Sequence, residues 1–225
     1  MAILSSQQHD IVSKAVSAAE LTTSGEIVPV VAQVSDGYSD VILWWAIAIA
    51  FTAMSVFAWV PQFYLGLWDA MMGGWGHDGW TAAQIASLAV GIGLVKFVAA
   101  SALLQIPALR FFCIPAPVKA ARVRDAAVRH FKVGAQARTL GHTGVLLYLS
   151  VSEHRAEIVA DSAIAGKVPA EVWGEAMADM LGHIREGRMA EGIAAGVRDV
   201  GAVLALHFPR DEHDTNELPD RLIEL

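Results

Sequence analysis

The chain is short of charge and of cysteine. Only 17% of its 225 residues are Asp, Glu, Lys or Arg, and the shortage is concentrated. Val41 to Val60 holds no charged residue, and Ile85 to Leu104 holds only Lys96. The segment between them, 61–84, has no Lys or Arg. A single cysteine, Cys113, excludes an intramolecular disulfide and fits a reducing compartment. It sits in Phe111-Phe112-Cys113-Ile114 with no neighbouring His, a packing context, not a catalytic one. The opening MAILSSQQHD lacks the basic and apolar regions of a signal peptide, so the first apolar stretch is expected to direct insertion itself. There is no D-x-[DN]-x-[DN]-G loop and no phosphate-cradling motif; an ion or phosphate site has to be assembled from distant segments.

What is present begins with those two stretches. Each is about 20 residues, which at ~1.5 Å per helical residue matches a hydrocarbon core roughly 30 Å thick. A helix satisfies its own backbone polar groups in lipid, so the pair reads as a transmembrane hairpin. Beyond the second span come Arg110, Lys119, Arg122, Arg124, Arg129, Lys132 and Arg138 against Asp125 alone, whereas the 61–84 segment carries Asp69 and Asp78. Basic flanks stay cytoplasmic, so both termini are expected inside a bacterial inner membrane and 61–84 outside. Trp59, Phe63, Tyr64, Trp68, Trp75 and Trp80 then fall at the outer interface, where amphipathic aromatics gather. Lys96 falls in the inner half and snorkels; neither span offers it an acidic partner. Ala46 with Ala50, and Ser87 with Gly91, have the spacing of close-packing small residues, for the hairpin itself or for a homo-oligomer.

The net charge of -7 hides an asymmetry. Arg110 to Arg138 is basic, while Thr139 to Leu225 has seven basic and fifteen acidic residues. The basic part reads as a helix near anionic headgroups. No aromatic interleaving or recognition motif accompanies it, which argues against nucleic acid.

The remaining residues suffice for one soluble domain. Ser5-Ser6-Gln7-Gln8 is a capping box opening a helix with Ile11, Val12, Ala15, Val16 and Ala19 on one face. Glu26 to Val34 reads as a strand, with Pro29 implying an edge or a bulge. An amphipathic helix is expected over Val118 to Arg138, a buried strand over Thr143 to Ser150, and a hairpin partner over Ala156 to Ala160. Pro169 opens a helix bearing Val172, Trp173, Ala176, Met177, Met180, Leu181 and Ile184, and a last helix runs from Met189 to His207. The acidic tail from Arg210 is expected to be at best partly ordered. The organisation is therefore an α/β sandwich, a mixed sheet flanked by helices, split between 1–36 and 118–209. The hairpin and its juxtamembrane segment, 37–117, interrupt it, and a tail, 210–225, follows.

These residues resemble the TPM domain. The likeness is carried by Thr23-Ser24-Gly25-Glu26-Ile27-Val28, by Thr143-Gly144-Val145-Leu146-Leu147-Tyr148-Leu149-Ser150-Val151 and by Glu153-His154-Arg155-Ala156-Glu157-Ile158-Val159-Ala160-Asp161. It continues through Ile164, Val168-Pro169, Trp173, Gly187 and the His207-Phe208-Pro209 stop, and Asn216-Glu217-Leu218-Pro219-Asp220 is similar to small bacterial membrane proteins carrying this domain. The resemblance implies a compact α/β sandwich. It also implies either Ca²⁺ binding with weak acid phosphatase activity or a role in assembly or repair of complexes. Where many relatives have a glycine-rich turn, this chain has Asp161-Ser162-Ala163-Ile164-Ala165-Gly166. That departure removes the close backbone approach glycine allows.

For a Ca²⁺ site the candidates are Glu26, Asp161 and Asp36, carboxylates at strand ends expected to meet on one rim; the alternative is that Glu26 and Asp161 cap local elements. A phosphatase would draw on Ser24, Ser162 and Lys167. Gly73-Gly74-Trp75-Gly76 reads as an interfacial turn, and His77-Asp78 and His213-Asp214 as neighbours that do not converge. Glu153, His154 and Arg155 are the conspicuous polar cluster, either a solvated turn or a tip that contacts a partner. The reading that follows is a non-enzymatic, membrane-anchored adaptor contacting the bilayer and a membrane-protein partner, in assembly, maintenance or stress response. Its alternative is a weak, metal-dependent acid phosphatase.

Overall fold

A computed structural model describes residues 2–71, 79–134, 143–210 and 218–225. The chain forms two compact units, Met1–Asp36 with Ala116–Leu225, and Gly37–Pro115. The glycine-rich turn at 73–76, His77, Asp78, Arg138, His213 and Asp214 lie outside the described residues.

The first unit is built on a four-stranded mixed sheet. Helix α1 (Ser6–Glu20) starts at Ser5, whose hydroxyl accepts from the Gln8 N–H while the Gln8 side chain accepts from the Ser5 N–H. Strand β1 (Glu26–Ala32) follows. After the interruption come α6 (Ala116–Gly134), the hairpin β2 (Gly144–Ser150) and β3 (Arg155–Ala160), and α7 (Ser162–Ala165). Helices α8 (Ala170–Arg185) and α9 (Met189–His207) precede the two-residue β4 (Ile223–Glu224). The sheet order is β3-β2-β1-β4. β1 lies parallel to β2 in the register Glu26↔Gly144 to Ala32↔Ser150, so the two halves of the domain meet at the centre of the sheet.

Alternation along the strands selects the layers. Ile27, Val31, Val145, Leu147 and Leu149 pack with α1, α8 and α9 on one face. Val28, Val30, Ala32, Leu146 and Tyr148 pack with Val123, Ala126, Ala127 and Phe131 of α6 on the other. Both faces being covered explains why β1 and β2 are buried along their whole length.

Pro29 fits a strand with neighbours on both sides because one neighbour is short. The Glu26 N–H donates to Thr143 O, and the Gln33 N–H to Leu225 O, so even residues of β1 face β2 and odd residues face β4. β4 reaches only Val30 and Val31. The missing donor of Pro29 falls just past its end, and the next odd residue, Ile27, donates its N–H to the Glu20 carboxylate at 2.9 Å. The carboxyl-terminal segment is thus part of the fold where it is described. Leu218 and Leu222 are buried, and the Glu224 carboxylate accepts from the N–H groups of Ile3 and Leu4.

The second unit is dominated by α2 (Ser39–Trp59) and α4 (Ala82–Leu103), which pack together, with α3 (Pro61–Met71) and α5 (Pro107–Cys113) beside them. Ala46, Ala50 and Phe57 of α2 and Gly93 and Ala100 of α4 are buried. Ala46 and Ala50 are therefore small residues at a packed position, as their spacing suggests. Ser87 is exposed, however, and α4 uses Gly93, against which Met54 rests. Part of the segment read as a loop, Pro61–Met71, is helical, stabilised by Phe57 on Tyr64 at 5.6 Å. The Trp80 indole N–H donates to Asp69 at 3.4 Å.

Candidate functional site

The polar residues of the first unit collect at opposite ends of the β1–β2 pair. At the amino end, Glu26 is in register with Gly144, and the Asp161 N–H donates to Gly144 O at 3.0 Å. Glu26 and Asp161 therefore flank one strand, with backbones about 10 Å apart at two strand spacings. Both are buried. The Asp161 carboxylate accepts from the Ser162 N–H at 2.7 Å and from its hydroxyl, capping α7. Asp36 does not join them. It follows the carboxyl end of β1, more than six residues and so roughly 20 Å away, and pairs with the Arg122 guanidinium at 3.2 Å. The expectation of one rim holding all three is corrected by strand polarity: Glu26 begins β1 and Asp36 follows its end. Among the described residues no three His, Cys, Asp or Glu side chains are arranged to hold a metal ion.

Glu26 instead lines a cavity of about 170 Å³ with Ser17, Glu20, Thr23, Arg210 and Asp220. Burial pushes the Glu20 carboxyl up to about 9, against the Ile27 N–H, which lowers it; repulsion from Glu26 and Asp220 adds to the rise. Glu20 therefore carries a proton at neutral pH. The Ser17 hydroxyl donates to Asp220 at 2.8 Å, fastening the carboxyl-terminal segment beside α1. Above it, Thr23 Oγ1 donates to Phe208 O at 2.6 Å and accepts from the Gly25 N–H at 3.0 Å, and the Ser24 N–H also reaches Phe208 O. Thr23-Ser24-Gly25 and His207-Phe208-Pro209, distant in sequence, are thus one joint. A Cβ on Gly25 would lie 2.9 Å from the Leu204 Cδ1 methyl, which would have to shift to admit it.

At the carboxyl end a hydroxyl network closes the β2–β3 turn. Glu153 is only 4% exposed, so it is not part of a solvated tip. Its carboxylate accepts from the Ser35 N–H at 2.9 Å and, through a short hydrogen bond, from the Ser150 hydroxyl. Ser35 Oγ lies 2.9 Å from Ser150 Oγ and 3.1 Å from the Tyr148 hydroxyl. Burial raises the Tyr148 phenol above its ordinary value, keeping it a neutral hydrogen-bonding group. Ser150 is fully buried, which denies it a nucleophile's access to substrate. His154 is exposed at φ 52°, and Arg155 is half-buried with its guanidinium donating to Ala116 O at 3.3 Å. Of the three tip residues, only His154 points its chemistry outward.

The other candidates are dispersed. Ser162 belongs to the α7 cap, Lys167 stacks over Phe208 at 4.4 Å, and Ser24 belongs to the joint above. Sequence reasoning missed Glu20, Asp220 and Ser35. Glu20 looks like a solvated end of α1, and only the short spacing to Glu26 hints otherwise. Nothing local marks Asp220, whose role depends on the return of the chain end.

Comparison with known proteins agrees with this architecture. No curated protein matches the chain. The family model of the TPM domain matches residues 118–203, from α6 through most of α9. Among solved structures, the NMR structure of the BA42 protein from the psychrophilic bacterium Bizionia argentinensis has a TM-score of 0.58. It is 17% identical, with 100% of this chain and 97% of that one covered, a likeness of fold. Residues 118–203 match the TPM domain model, and in space that stretch is joined by α1 and β1 from before the α2–α4 insertion.

Proposed function

We propose that this protein is a membrane-anchored TPM-domain adaptor. The hairpin α2–α4 spans a bacterial inner membrane, and the TPM domain faces the cytoplasm and contacts a membrane-protein partner. The observation carrying the reading is an inverted helix pair. Four of the six buried residues of the pair are small, Ala46, Ala50, Gly93 and Ala100, with Ile42 and Phe57 beside them, while Trp44 is 71% exposed, Phe51 66% and Val95 66%. A water-soluble helix pair buries its large apolar side chains; one that meets lipid turns them outward. Both helices have the length and mean hydropathy of spans, 21 residues at 2.2 and 22 residues at 1.9. Non-enzymatic function is supported by the tasks that hold the candidate groups: Asp36 on Arg122, Asp161 on α7, Ser150 inside the Glu153 network.

Two measurements test it. In a Cys113→Ser background, an impermeant maleimide should label Gln62→Cys on intact cells and Glu171→Cys only after permeabilisation. Labelling of Glu171→Cys on intact cells overturns the orientation, and full extraction of the protein by alkaline carbonate overturns the anchoring. A photo-crosslinker at His154 should give a discrete adduct in native membranes. Its absence, together with a Ca²⁺-dependent thermal shift abolished by Asp161→Asn, would move the reading to the metal-dependent phosphatase.

A further inference from the structure

A cavity of about 500 Å³ in the first unit borders the hydroxyl network at Ser150 and extends beyond it to α8 and α9. It opens where β2 ends, between the β2–β3 turn and the α8–α9 connection. Its apolar lining is Leu149, Val151, Leu181, Ile184 and Met189. All but Leu149 remain partly exposed, so the fold leaves apolar surface unsealed there. The volume falls within the ~300–1,000 Å³ range of small-molecule sites, and the place, beside the carboxyl end of a parallel strand pair, is where α/β sheets present ligands.

Two cationic or donor side chains complete the lining, Arg185 at the end of α8 and His154 on the turn. Neither has an acidic partner among the described residues. The neighbouring charges are already matched: Arg188 pairs with Glu186, and Glu153, which does not line the cavity, is committed to Ser35 and Ser150. Ser150, also in the lining, has its hydroxyl engaged by Glu153 and Ser35. His154 is held in the left-handed region, φ 52°, by a turn closed through the His154 N–H to Val151 O at 3.2 Å. On the other side Gly187, φ +80°, ends α8 just beyond Arg185, with the Arg188 N–H returning to His183 O. His154 on its closed turn and Arg185 on the last residue of α8 therefore both line the apolar recess.

We infer that this cavity binds an amphipathic monoanion, an apolar body seated on Leu181, Ile184 and Met189 with a terminal carboxylate at Arg185 and His154. An arginine fork matches a carboxylate bidentately, and an imidazole beside it can donate a further hydrogen bond. A polyanion would find no further donors, and a neutral apolar ligand would leave the arginine unused. The same chemistry is presented by a free aliphatic or aromatic acid and by the last residue of a protein chain ending in an apolar side chain. The inference concerns the first unit and does not depend on the anchoring reading.

The test is calorimetry on the full chain in lipid nanodiscs, with empty nanodiscs as the blank. The probes are 4-phenylbutyrate and its neutral amide, and an acetylated pentapeptide ending in leucine as free acid or as amide. Saturable binding of an acid, at least tenfold tighter than its amide, is the expected result. Arg185→Gln, an exposed substitution, should remove about tenfold of that affinity and leave the amide unchanged. His154→Asn, compatible with the turn, should weaken the acid in the same way. Preference for 4-phenylbutyrate assigns the free acid, and preference for the peptide assigns a chain terminus. Equal binding of acid and amide, no binding of either acid, or acid affinity unchanged in Arg185→Gln overturns the inference.

Discussion

Substituting Glu153 and His154 separately distinguishes a turn that folds the domain from a tip that touches a partner. The two residues are adjacent, yet Glu153 is 4% exposed and His154 lies in solvent. In Glu153→Ala the Ser35 N–H and the Ser150 hydroxyl both lose an anionic acceptor while Ser150 stays fully buried. Hydrogen bonds to charged groups contribute about 1.5–3 kcal/mol each, so the loss should be about 3 kcal/mol or more. Glu153→Gln keeps one carbonyl acceptor and, with the Ser150 hydroxyl free to turn, should cost about 1 kcal/mol. His154→Asn, which tolerates the left-handed backbone, should cost under ~0.5 kcal/mol. Hydrogen exchange reads the difference without requiring α2 and α4 to unfold. Amides of β2 and β3 should exchange roughly a hundredfold faster in Glu153→Ala and at nearly the native rate in His154→Asn. If Glu153→Ala leaves that protection within twofold of native, or His154→Asn lowers it as much, the assignment of Glu153 as the clamp of this turn is wrong.

Two further substitutions probe the opposite end of the domain. A Cβ on Gly201 of α9 would lie 2.6 Å from the Ala19 Cβ, so Gly201→Ala should lower exchange protection of α9 despite a helix-propensity gain of about 1 kcal/mol; in an Ala19→Gly background the same change should raise it. Because the Glu20 carboxyl is raised from 4.5 to about 9, its contribution to stability is full below pH 4.5 and is lost progressively as pH rises towards 9. Glu20→Gln, which resembles the protonated acid, should flatten the decline in melting temperature over that window; an unchanged pH profile would show that Glu20 is ionised in the folded protein.

Local patterns made much of the domain legible. The Ser5–Gln8 capping box, the Met189–His207 helix and the continuous apolar strand Thr143 to Ser150 each depend on neighbours within a turn or a pleat, and each appears where its pattern places it. The role of Asp161 was also within reach, since an acidic residue before Ser162 has a local N–H to accept from. Glu153 was not. Its inward turn is set by Ser35, 118 residues earlier, which no window along the chain contains. Asp36 was misplaced for the same reason, because the polarity of β1 against its neighbours decides which end of the sheet a flanking carboxylate occupies.

Composition and periodicity by themselves determined the long helices and the three longer strands, the two apolar helices among them, and the split of one α/β domain around those two. Those properties follow from hydrophobic spacing, a one-dimensional quantity. Tertiary structure alone decided that β1 lies between β2 and the short β4, that Glu20 closes the open half of β1, and that Arg185 and His154 stand at one cavity. Each of these joins residues far apart in sequence, and the energy that joins them comes from burying both faces of a sheet whose strand order the linear pattern does not encode.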